Sequence, residues 1–267
     1  FRRVRFRSQD KQNAFLHAQR LLEKSSEEKE KESAVIFLYE IYLDFKDYNS
    51  AESLLLSYKN GTSDFNAQIK LYLAELYQRQ GKLSLADNEF QNIMTVHQKS
   101  VYAENASYRD AQMYYSAEDF SSALSRFVSY LYSFSNGTYM EEALYYAGEC
   151  AYKTGELERC IMYCNALLQN NENSLFAFSA GSNLLNAYYE KADYNLALDV
   201  AKKLIEKFPA ESRSFGIVKK AGEIELIVNG AQSAIVEKKS EYEQNGGEGT
   251  LQGRIAGTQL VQLYAQN

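Results

Sequence analysis

Six small residues recur along this chain at nearly constant intervals: Ala51, Ala86, Ala123, Cys160, Ala197 and Ala234, spaced by 35 and then four times by 37 residues. Three residues before each stands Tyr48, Leu83, Phe120, Leu157, Tyr194 or Ala231. Nine before come Tyr42, Tyr77, Tyr114, Ala151 and Tyr188, and four after come Leu55, Phe90, Phe127, Cys164 and Ala201. Short turn-forming pairs precede the aromatic position: Lys46-Asp47, Gly81-Lys82, Glu118-Asp119, Gly155-Glu156, Ala192-Asp193 and Asn229-Gly230. Ala147-Gly148-Glu149 returns as Ala221-Gly222-Glu223, 74 residues on, which is two periods of 37. Several positions held in one register at such a period are the mark of a stacked array of identical supersecondary units.

The unit is legible. Leu71, Leu73, Ala74 and Tyr77, or Leu124, Phe127, Val128 and Leu131, recur with helical periodicity. The chain holds one proline in 267 residues, so little interrupts its helices. The spacing therefore predicts a helix A, a tight turn at a Gly or Asp, and an antiparallel helix B whose small residue lets the two backbones approach. One such hairpin cannot bury its apolar face alone, whereas stacked neighbours bury it together. The expected fold is all-α: an α-solenoid of about six hairpins in a right-handed superhelix, with a lone helix near each end and a concave side.

These residues are where a family resemblance becomes specific. The pattern resembles the tetratricopeptide repeat, with a small residue and a tyrosine in helix A and alanine, aromatic, alanine in helix B. It covers residues 33–241. The helix-A tryptophan of the family is absent, its closing proline stands only at Pro209, and its third helix-B alanine is replaced by Tyr58, Ile93, Tyr130, Leu167 and Leu204. The segment Phe120 to Pro209 is more narrowly similar to bacterial envelope repeat proteins, namely the Tol-Pal-associated periplasmic coordinator and the outer-membrane assembly lipoprotein. That similarity implies a bacterial periplasm or cell envelope, with the cytoplasm as the alternative.

The ends read differently. Residues 1–10 form a basic arm, with Arg2, Arg3, Arg5 and Arg7 alternating with Val4 and Phe6, and 11–267 form one solenoid domain with partial repeats at both ends. Ala14 to Lys24 reads as one helix before a charged connector, Ser25 to Glu32. After Glu243 a Gly-rich breaker precedes Leu251 to Gln266, which resembles a helix A lacking its helix B. The protein is expected to continue beyond Asn267, or another element to cap this end.

Catalytic chemistry is not proposed by any motif. His17 and His97 lie far apart, read as surface or partly buried helix residues, and belong to no zincin or nucleophile signature. Gly247-Glu248-Gly249 lacks the strand and the GK[ST] of a phosphate loop. Cys150, Cys160 and Cys164 form no disulfide framework and lack the further ligands of a zinc site, so they read as small buried hydrophobes. No metal and no cofactor is expected. A formal net charge of -6 offers no overall field for a phosphate backbone, which disfavours nucleic acid. No stretch reaches the roughly 18 apolar residues of a membrane span, though an anchor outside this sequence stays open.

The expected role is a non-catalytic protein-interaction scaffold, with a small-molecule or lipid-binding solenoid and a regulatory domain of a larger enzyme as alternatives. In the family, helix A lines the concave groove. Its positions 5, 9 and 12 carry over onto Tyr108, Gln112 and Tyr115; Tyr145, Glu149 and Tyr152; and Ser182, Asn186 and Tyr189. Tyrosine suits recognition because it offers apolar area and a hydroxyl at little entropy cost. Tyr108, Tyr115, Tyr145, Tyr152 and Tyr189 are expected to be at least partly exposed, while Tyr77, Tyr114 and Tyr188 point into the stack. The lysine and asparagine clamp of chaperone-binding members is not found at these positions.

Overall fold

The computed structural model describes residues 8–266 and contains, among them, fourteen α-helices and a short 3-10 turn, with no strand. The basic arm's arginines lie outside the described residues. The helices are α1 (Ser8–Lys24), α2 (Glu28–Asp44), α3 (Tyr48–Tyr58), α4 (Asp64–Arg79), α5 (Leu83–Val96), α6 (Ala103–Ser116) and α7 (Phe120–Ser133). They continue with α8 (Met140–Lys153), α9 (Leu157–Asn170), α10 (Ala177–Glu190), α11 (Tyr194–Lys207), α12 (Pro209–Ser214), α13 (Ile217–Gln244) and α14 (Leu251–Gln266). Helix α1 starts earlier than expected, and the charged connector shrinks to residues 25–27 because Glu28 and Glu30 suit the first turn of α2.

Each hairpin turn uses one device. A residue with positive φ closes helix A: Lys46 (58°), Gly81 (72°), Glu118 (59°), Gly155 (77°) and Ala192 (62°). Just after it, the N–H of Asp47, Lys82, Glu156 and Asp193 donates to the carbonyl of Tyr42, Tyr77, Ala151 and Tyr188, at 2.9, 2.9, 2.8 and 2.9 Å. This is the Schellman closure, which satisfies a helix-end carbonyl and reverses the chain. Asp47 and Asp119 then cap helix B, each side chain accepting from the N–H three residues on, at 3.1 Å.

The chain divides into two compact units, residues 1–118 and 119–267. In the first, α1 to α6 pack in sequence, each on the next, and α4 also meets α6. Its core joins Val35, Tyr39, Ala51, Leu55, Leu73, Ala74, Ala86, Phe90 and Ile93. In the second, α7 to α11 pack successively, α8 also meets α10, and α11 carries α12 and α13. The small residues Ala51, Ala86, Ala123, Cys160 and Ala197 are all fully buried. Cys150, Cys160 and Cys164 are free, buried thiols.

The sixth turn expected at Asn229-Gly230 is not made. Helix α13 runs unbroken through both residues for 28 positions, and neither has a positive φ. The chemistry explains this. Where earlier helices B bury Phe90, Phe127, Cys164 or Ala201, the sixth has Lys238, and where they bury Ile93, Tyr130, Leu167 or Leu204 it has Glu241. Folding back within one chain would break the α13 backbone ladder at Asn229-Gly230, and a contact that carries a lysine and a glutamate in place of apolar residues offsets little of that loss.

Candidate functional site

In the second unit, α8, α10 and the start of α13 bring together Tyr145, Glu149, Tyr152, Asn186 and Tyr189, all partly buried. The Tyr152 hydroxyl donates to the Glu190 carboxylate on α10. Its own pKa is pushed up to about 12, first by burial and then by that bond. On the far side of Asn186 stands Lys220 of α13, whose ammonium donates to Asn186 Oδ1 at 2.5 Å and lies 4.5 Å from the centre of the Tyr189 ring. Burial lowers the Lys220 pKa, against the pull of Glu190 and Glu223. The Tyr189 ring also meets Tyr194 edge-on at 5.6 Å. Tyr145 stacks on Phe176 with ring centres 4.9 Å apart, and Glu149 keeps one carboxylate oxygen buried without a hydrogen-bond partner.

The result is a row of rings, an amide and charges on α8, α10 and α13. Lys220, Glu190 and Phe176 complete it and were missed from sequence. Lys220 has a signal in the sequence, since it neighbours Lys219, which falls one period after Ser182. A shallow cleft lined by Ala192, Tyr194, Asn195, Val228, Ala231 and Gln232 contains none of the row.

The first unit departs from expectation. Tyr108 is only 6 % exposed, so it is core and not a groove residue; its hydroxyl accepts from Gln112 Nε2 on its own helix at 3.0 Å, which lets the ring be covered without stranding the oxygen. Gln112 and Tyr115 are partly buried. Tyr77 is buried as expected, whereas Tyr114 and Tyr188 are only partly so and pack against the edges of their cores. His17 is exposed. His97 is 4 % exposed and sits at the C-cap of α5, with neither ring nitrogen hydrogen-bonded. It is thus a core residue and not a helix-surface one. Close by, the buried Lys70 donates to Asn92.

A tetratricopeptide-repeat family model matches residues 142–174, which span α8 and α9. Comparison with curated proteins gives no match. Among solved structures, the chain is similar to the C-terminal part of a TPR repeat-containing protein from Cytophaga hutchinsonii, at 14% identity and a TM-score of 0.58, over 97% of this chain and 92% of that one. It is also similar to a tetratricopeptide repeat protein from Parabacteroides merdae, at 18% identity and TM-score 0.53, covering 88% and 87% of the two chains. BtubC (BKLC) from P. vanneervenii gives 17% identity and TM-score 0.53, covering 83% of this chain and 91% of that one. At these identities the likeness is one of fold. The narrower resemblance to envelope proteins finds no support in these matches.

Proposed function

We propose that this chain is a non-catalytic scaffold that holds a protein partner against its helix-A residues, chiefly the row Tyr145, Glu149, Tyr152, Asn186, Tyr189 and Lys220. The observation that carries this reading is the chemistry of that row: amphipathic rings, an amide and both signs of charge, partly accessible on adjacent rigid helices. Aromatic anchors beside hydrogen-bonding groups are what protein interfaces concentrate. The tetratricopeptide match over α8 and α9 supports the same reading, because that fold recurs in repeat proteins without a catalytic centre.

The test is capture of partners from the native organism with the unmodified chain and with a Tyr152→Ala, Tyr189→Ala double variant. A stoichiometric protein partner retained by the first and weakened at least tenfold by the second, with helical content and melting nearly unchanged, is expected, since interface aromatics commonly carry about 2 kcal/mol each. Equal capture by both chains rejects this row as the site.

A further inference from the structure

The first half of α13 is a helix A whose helix B is missing. Two and one periods earlier, the positions of Val218 and Gly222 are Leu144 and Gly148 in α8 and Gly181 and Leu185 in α10, all four buried. Helix B covers them. A Cβ added to Gly148 would lie 2.8 Å from Cys164 Sγ of α9, and one added to Gly181 would lie 2.7 Å from Leu204 of α11. In α13, by contrast, Val218 is 45 % exposed and a Cβ on Gly222 would meet nothing within 4 Å. The place of a helix B is vacant.

The register names what fits it. Moving Cys164 on by two periods gives Lys238, and moving Leu204 on by one gives Glu241, so residues 231–244 have the spacing of the missing helix, with Ala234 as its small residue. Their charges suit this particular vacancy. Gly222 leaves room for a lysine stem, and Glu225, one turn on, is exposed and pairs at 3.8 Å with Lys202, its one ion-pair partner among the described residues. Lys238 at present pairs with Glu241 along α13 itself. The chain's own segment does not reach the vacancy: positions 222 and 238 lie about 24 Å apart along one straight helix. Helix α14 adds to the uncovered surface. Leu251, Ile255 and Val261 fall two periods after the buried Ala177, Gly181 and Ala187, yet are 68, 52 and 67 % exposed.

We propose that α13 is the opened form of a sixth hairpin, and that residues 231–244 of a second copy of this chain fill the helix-B place on its first half. Two copies then exchange the same segment reciprocally, in a closed two-fold pair. Lys238 of one copy lies over Gly222 of the other and pairs with its Glu225. Because the contact includes an ion pair near the surface, it weakens with salt.

Sedimentation velocity of the unmodified chain over a range of micromolar concentrations is expected to show a monomer–dimer equilibrium. A Gly222→Cys, Lys238→Cys double variant, treated with oxidised glutathione, is expected to give a disulfide-linked dimer that neither single variant gives at that position pair; the native thiols are buried. Lys238→Glu is expected to weaken dimerisation roughly tenfold, and Glu225→Lys in the same chain to restore it, as charge exchange at an interface does. A 222–238 link within one chain overturns the proposal, because the hairpin then closes on itself. A chain that stays monomeric, or a dimer in which 222 and 238 never link, overturns it as well.

Discussion

Lys46, Glu118 and Ala192 hold left-handed backbone without being glycine, at the same turn position where Gly81 and Gly155 are at ease. A side chain there costs roughly 1–2 kcal/mol, part of which glycine returns as unfolded-state entropy. Ala192→Gly is therefore expected to stabilise the protein by about 0.5–1 kcal/mol in urea denaturation, and Gly81→Ala to destabilise it by about the same. His97 gives a second expectation. Burial, then Lys70, holds its pKa below the usual 6.5, while the Thr62 backbone and Asp64 pull weakly the other way. The unfolded chain thus takes up the proton first. The stability tied to a neutral His97 is complete above about 6.5 and is lost as pH falls from there through the depressed folded value. Denaturation midpoints measured from pH 7.5 to 5 are expected to fall, and His97→Gln is expected to flatten that part of the profile. The register sets His97 with Phe134, Asn171 and Phe208 at the helix-B C-cap, and because those three are only partly buried it does not announce the full burial of His97.

The helices and their turns were largely legible, because one register fixes the left-handed residue, the capping position and the small residue together. Ala197 illustrates it: Ala197→Leu is expected to overpack the α10–α11 pair and cost about 1–3 kcal/mol, read as a lowered melting temperature. The sixth pair is the exception, because its small residue and turn dipeptide recur without the apolar packing positions of the earlier helices B. Lys238 and Glu241 were visible in the sequence, and their polarity there is what distinguishes α13 from a hairpin. The site was legible only in part, since tyrosine serves both groove and core in helix A: Tyr108 and Tyr145 share a register position, yet one is buried and the other partly open.

At the scale of the molecule, every helix packs on near neighbours in sequence, so stability is a sum of local terms that need not be uniform. In the second unit of the monomer, amide hydrogen exchange is expected to show α8 to α11 protected longest, with α13 and α14 opening at lower free energy, as the exposed Val218, Leu226, Val236, Leu251, Ile255 and Val261 imply. Uniform protection across these helices would contradict that gradient. The glycine of α8 has a wider meaning. At its register position α4 has Ala74 and α10 has Leu185, but in α8 even a Cβ would come within 2.8 Å of Cys164 Sγ of α9. Helix α9 is consequently keyed to α8 and not interchangeable among the hairpins: joined to α10 it would meet a leucine where its own partner has no side chain at all.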